Sequence, residues 1–278
     1  MPGKKILFAR TWFLKGDKLS ARGKFEAAVG AYAKGIAIIP NNEKAWNNMG
    51  IALANLGKYE DALKAYDKAI EINPSYPKAW NNKGAALDGL IKFEEASKAY
   101  CKAVELDSNY QKAWVNLSMV LTKMYKVEEA LEAIDNAVRI SPGDYEAWQF
   151  RGIALGNLGK YEEAIAALDK AIAINPDQEK AWNNKGAALE SMGRFEEALA
   201  AFNKALELNP HYQRAWLNKG KVLDSLGKPE DALAAFDKAT EINPKDYEAW
   251  YQKGIVLSAL RKHEESVKAF DKALIHQH

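Results

Sequence analysis

The chain has 278 residues, enough for one or two ordinary domains or one elongated array, and far more than a mini-protein needs to hold a core. Its 39 Lys and Arg against 37 Asp and Glu leave a formal charge of +2, which argues against a polyanion binder held by a net basic field and leaves local stripes to consider. The single cysteine, Cys101, excludes a disulfide framework and a thiolate metal cluster, and fits a reducing, cytoplasmic compartment.

The first apolar run, Ile6-Leu7-Phe8-Ala9, stops at Arg10, too soon for a secretory segment, and no stretch approaches the roughly 18 apolar residues of a membrane span. The chain therefore reads as soluble, with no membrane partner. Residues 1–8 are a lead-in, after which Trp12, Trp46, Trp80, Trp114, Trp148, Trp182, Trp216 and Trp250 recur at a spacing of 34. A fixed period of this size marks a stacked array in which each unit hides its apolar face against the next. Residues 9–278 form one array of eight units: 9–42, 43–76, 77–110, 111–144, 145–178, 179–212, 213–246 and 247–278.

The second unit shows the internal plan. Trp46, Gly50, Leu53 and Leu56 share one helical face, Gly57-Lys58 breaks the helix, and Ala62, Leu63, Tyr66, Ala69 and Ile70 form a second stripe that Asn73-Pro74 ends. Each unit is thus a helical hairpin, with Gly four after Trp admitting a bulky ring from the second helix. Between the third and fourth units the pattern weakens. Ile91 and Tyr125 stand where other units have a turn Gly, Ser97 interrupts an apolar column, and Ser108 replaces Pro. In the last unit Val267, Phe270 and Leu274 leave an apolar face with no following helix.

The Trp column, the small column four later, the Ala column sixteen later, the bulky column twenty later and Pro twenty-eight later together resemble the tetratricopeptide repeat. The resemblance runs from about residue 9 to about 275 and departs from the family signature three after Trp, where Lys is commoner than Leu. It implies an all-α solenoid of helical hairpins, a right-handed superhelix with the first helix of each pair lining a concave groove.

At about 100° per residue the apolar columns of the first helix fill one arc, and the columns two before Trp and one, two, five, eight and nine after it fall opposite, toward the groove. Two after Trp stand Asn48, Asn82, Asn116, Asn184 and Asn218, and one after it Asn47, Asn81 and Asn183. A carboxamide both donates and accepts, so such a ladder grips a peptide backbone whatever its side chains. Helices roughly 10 Å apart meet an extended chain about once every three residues. On this reading the ladder serves binding and is dispensable for folding; the same residues also suit a plain solvated face. Lys44, Lys78, Lys112, Lys180 and Arg214, two before Trp, form a basic rail, with Asp88, Glu190 and Asp224 as a weaker acidic one, favouring an acidic or mixed-charge segment. Against the carboxylate clamp that some family members use on chaperone C-termini, Asn47, Ile51, Asn82, Lys112 and Asn116 match at only two positions.

No catalytic constellation emerges, so the protein is not expected to be an enzyme or to carry a cofactor or metal. His211, His263, His276 and His278 share no face with other ligands, and Asp67, Asp135, Asp169, Asp237 and Asp271 repeat in one outer column, as a solvated face does. The Trp column faces the core, which leaves no stacking platform for nucleic acid. Lys83, Lys185, Lys219 and Lys253 fall inside the apolar arc and are expected to snorkel to water. Two functions remain. One is a peptide-binding scaffold, and the other is a structural protein stacking head-to-tail into homo-oligomers through its last helix.

Overall fold

A computed structural model describes residues 2–276, with side chains from Lys5 to His276. Met1, Gln277 and His278, at the ends of the expected lead-in and tail, lie outside the described residues. The helices form two compact units, one up to Pro142 and one from Gly143. The first contains α1 (Pro2–Ala21), α2 (Phe25–Ile38), α3 (Glu43–Asn55), α4 (Tyr59–Ile72), α5 (Pro77–Gly89), α6 (Phe93–Leu106), α7 (Gln111–Lys123) and α8 (Val127–Ile140). The second contains α9 (Tyr145–Asn157), α10 (Tyr161–Ile174), α11 (Glu179–Ser191), α12 (Phe195–Leu208), α13 (Gln213–Ser225), α14 (Pro229–Ile242), α15 (Tyr247–Ala259) and α16 (His263–Ile275). No strand occurs among the described residues, and the architecture of each unit is an all-α solenoid of hairpins.

Within a hairpin the turn is a Schellman motif. The Gly57 amide donates to the Ala54 carbonyl and the Lys58 amide to the Leu53 carbonyl, with Gly57 at φ 71°. Ile91 and Tyr125 make the same turn at φ 61° and 59°, a left-handed conformation that β-branched and bulky side chains resist. The hairpin closes on small residues. A Cβ placed on Gly186 would lie 2.5 Å from the Phe202 ring, and Ala198 beside it has no exposed surface. Where the small residue becomes Ser118, its hydroxyl donates to the Ala130 carbonyl across the hairpin at 2.8 Å.

Successive hairpins are joined by the tryptophans. Trp46, Trp80, Trp114, Trp182, Trp216 and Trp250 each donate the indole N–H to the carbonyl six residues earlier, at 2.8–3.0 Å. Ser108 serves Trp114 as well as Pro serves the others, because only the backbone oxygen is needed. The rings pack against the core as expected, most of them half-buried and Trp250 buried, with the N–H edge turned to the preceding connection. Within each unit the odd-numbered helices approach one another and the even-numbered ones do not. The odd helices therefore line the inner side of each unit's bend. No helix of the described residues is long and apolar enough to cross a membrane.

Candidate functional site

The inner side carries a hollow of the same design in both units. In the first, about 310 Å³ is bounded by Ile51, Ala54, Asn55 and Tyr59 on one hairpin and Asn82 and Ala85 on the next. In the second, about 240 Å³ is bounded by Ile153, Gly156, Asn157 and Tyr161 on one hairpin and Asn184 and Ala187 on the next. These are matching columns. Small residues eight after Trp leave the space, and an aromatic thirteen after Trp walls it. The tyrosines were not singled out from the sequence, where each reads as ordinary hairpin packing; the column eight after Trp was placed toward the groove, but for its acids Asp88, Glu190 and Asp224 and not for the small Ala54 and Gly156.

The carboxamides divide into two classes. Asn47, Asn81 and Asn183 are buried, at 3%, 2% and 2% exposure, so their column does not face the open groove as the helical wheel implied. They accept from the next hairpin. Asn82 Nδ2 donates to Asn47 Oδ1 at 2.9 Å, Asn116 Nδ2 to Asn81 Oδ1 at 2.9 Å, and Asn218 Nδ2 to Asn183 Oδ1 at 3.1 Å. Asn48 has no Asn before it and donates instead to Asp17 Oδ1 at 3.1 Å. The ladder thus stitches neighbouring hairpins, and it is part of the fold as well as a surface. Asn48, Asn82, Asn116, Asn184 and Asn218 remain half-exposed. The Asn184 side chain makes no hydrogen bond to the protein among the described residues; the column before it holds Gln149, whose carbonyl sits one methylene further out than that of Asn183.

Charges on the same side are unevenly committed. Lys44, Lys78, Lys112, Lys180 and Arg214 are exposed and form no ion pair among the described residues. Asp88 is held by Lys123 Nζ at 2.7 Å to both carboxylate oxygens, and Glu248 pairs with Lys221. Glu190 lies half-buried nearby. Desolvation pushes its carboxyl above the ordinary range, the Lys221 charge opposes this, and the Glu248 charge adds to it.

The lysines three after Trp do not simply lift their charge to water. Lys83 pairs with Asp67 at 2.7 Å, Lys185 with Asp169 at 2.6 Å and Lys253 with Asp237 at 2.7 Å, each ammonium also standing over the Trp of its own hairpin at 4.8–5.7 Å. The Asp column read as a solvated face is the partner. Its signal was present in the repeat: where the lysine is Met49 or Leu117, the matching earlier residue is Ala33 or Cys101. The Cys101 thiol is half-buried, and burial raises its pKa. Among the described residues no group of three or more His, Cys, Asp or Glu is placed to hold a metal ion.

The sequence profile of the cilia and flagella-associated protein 70 C-terminal domain matches residues 2–181, and tetratricopeptide repeat profiles match residues 179–212, 214–246 and 235–268. Curated protein sequences give no match. Among solved structures the chain is similar to one in the APC/C hetero-tetramer Cut9–Hcn1, with a TM-score of 0.69 and 18% identity over 95% of this chain and 52% of that one, about half its length. A tetratricopeptide repeat protein from Parabacteroides merdae aligns at a TM-score of 0.69 and 16% identity over 96% of this chain and 98% of its own. YrrB, a TPR protein with an unusual peptide-binding site, is 28% identical at a TM-score of 0.54, over 69% of this chain and 98% of its own.

Proposed function

Because the chain belongs to the tetratricopeptide repeat family, whose helical hairpins serve contacts between proteins, we propose that it is a non-catalytic interaction scaffold whose inner side holds an extended peptide segment. The half-exposed carboxamides of Asn48, Asn82, Asn116, Asn184 and Asn218 bond the peptide backbone, and the hollows beside Asn82 and Asn184 take apolar side chains. The observation that carries this reading is the recurrence of one hollow, with a carboxamide in its wall, at matching columns of both units. The uncommitted rail of Lys44, Lys78, Lys112, Lys180 and Arg214 favours an acidic segment and speeds its encounter. The peptide-binding site of the similar protein YrrB lends support, and the lone unpaired Cys101 suits a cytoplasmic setting.

Asn184→Ala tests the proposal cleanly, since Asn184 supports no neighbouring side chain. Peptides selected from a random dodecapeptide library on the intact chain should bind the variant about fivefold or more weakly, as a lost backbone hydrogen bond costs about 1 kcal/mol, with unchanged melting. Selection of no peptide, or equal affinity of both proteins for the selected peptides, refutes it.

A second reading, stacking of copies, rests on exposed Val267, Leu274 and Ile275 of α16 and on Ile6, Leu7 and Phe8 of α1. Sedimentation velocity across a concentration series distinguishes the two. A mass that stays that of one chain removes this second reading.

A further inference from the structure

On the outer side of the second unit, α12, α13 and α14 enclose a hollow of about 470 Å³. Leu199, Trp216 and Leu223 give it apolar walls, and Asn203, Lys219, Lys228, Asp231 and Lys238 supply its polar groups. The repeat explains what is unusual here. At three other joints the lysine three after Trp meets an Asp of the preceding hairpin at 2.6–2.7 Å. At this joint the Asp position is Asn203, and Lys219, standing 5.0 Å over the Trp216 ring, has no ion pair among the described residues.

We propose that this hollow binds a monocarboxylate with an apolar stem, whose carboxylate takes the place that Asp fills at the other joints. The Lys219 ammonium supplies the counter-charge. A half-buried ammonium with no carboxylate in contact is costly, and this one is destabilised in its charged form by burial, which the Asp231 charge across the hollow opposes without pairing with it. The Asn203 carboxamide, free of protein hydrogen bonds among the described residues, donates to the second carboxylate oxygen. Leu199, Leu223 and the Trp216 face take the stem. Lys238 is committed to Glu241 at 2.8 Å, which leaves Lys219 and Lys228 against Asp231. That balance favours a single negative charge over a dianion. The stem and carboxylate belong either to a free organic acid or to a glutamate side chain of another polypeptide. The site lies on the opposite side of the hairpins from the inner hollows and does not depend on them.

The test is a titration of the full chain, labelled with 15N at the indoles, with hexanoate, with hexanamide and with acetyl-Leu-Glu-amide. The readout is the Trp216 indole resonance, assigned by Trp216→Phe. Hexanoate should shift it saturably and hexanamide should not. Asn203→Asp, which installs the pair present at three other joints, should weaken binding about tenfold or more, and Lys219→Met should do the same. A peptide that binds tighter than hexanoate assigns the site to a protein side chain, and the reverse order assigns it to a free acid. Absence of a saturable shift with either probe at millimolar concentration overturns the proposal. So does undiminished binding by Asn203→Asp or, should that variant fold poorly, by Lys219→Met.

Discussion

Replacing Asn82 with Ala should destabilise the fold, although Asn82 is a half-exposed residue on the candidate binding side. Its Nδ2 is the donor to the buried Oδ1 of Asn47, at 2.9 Å. Asn47 is 3% exposed, so its oxygen cannot find water when the donor is removed. A stranded buried acceptor costs about 1–3 kcal/mol. Asn47→Ala should cost about 1 kcal/mol, the net worth of a bond, because the surviving Asn82 amide reaches solvent. Asn82→Ala also removes the acceptor of the buried Asn81 Nδ2, at 3.4 Å, a loss that recurs in the double variant and cancels in the cycle, leaving a coupling of about 1–2 kcal/mol between residues 35 apart in sequence. Urea unfolding followed by circular dichroism measures the cycle, and hydrogen exchange in α3 and α5 shows that the loss is local, as expected where each hairpin touches only its neighbours. Single effects that add to within about 0.5 kcal/mol would refute the stitching role.

Lys185→Met should cost about 1 kcal/mol, since an ion pair worth about 0.2–1 kcal/mol and a cation–π contact of about 0.5–1 kcal/mol are partly offset by a thioether on Trp182. Lys185→Asp should cost clearly more by setting two carboxylates together, and equal melting of the two variants would show that the Asp169 pair contributes nothing. Ile91→Gly should stabilise by about 1 kcal/mol, because φ of 61° strains a β-branched residue that is itself 75% exposed; a lower urea midpoint would contradict this. Glu190 binds its proton more tightly folded than unfolded, so its contribution to stability is greatest below the ordinary carboxylate range and declines as pH rises through its raised folded pKa. The stability of Glu190→Gln relative to the parent should therefore improve between about pH 4 and pH 7, and parallel stability curves would rule the shift out.

The hairpin architecture was legible because its determinants are local and repeat. Gly57 and its equivalents mark turns, Gly186 and Phe202 lie sixteen residues apart and meet within one hairpin, and even the irregular turns at Ile91 and Tyr125 stood out as breaks in a column. What escaped were contacts between columns of different hairpins. A helical wheel treats α5 as isolated, so it could not show that the side bearing Asn81 is covered by the next odd-numbered helix while Asn82 stays half open. Asp67 looked solvated because its column was considered without Lys83, a residue in the following hairpin. The Trp rings do pack against the core, as their column implies, but nothing in that column shows that the indole N–H bonds the carbonyl six residues earlier. Each missed feature was an interaction across a joint, where the pairing of two columns carries the information and the composition of either one does not.

The stitching also bears on how the inner side would hold a peptide. A carboxamide has two N–H donors, and the bond from Asn218 to Asn183 occupies one of them while fixing the side-chain rotamer. The other donor and the outward lone pairs are left pre-oriented, which lowers the conformational entropy lost on binding. Asn184 lacks this brace because Gln149, one methylene longer, stands where Asn183 stands for Asn218. Gln149→Asn should supply the missing acceptor. The expected gain is about 0.5–1.5 kcal/mol of stability from the new hydrogen bond, together with a severalfold tighter grip on any peptide that loses affinity in Asn184→Ala. The two effects should vanish together in Gln149→Asn combined with Asn184→Ala. A gain in stability without a gain in affinity would mean that Asn184 orders the joint and does not touch the peptide, and would confine the ladder to its structural part.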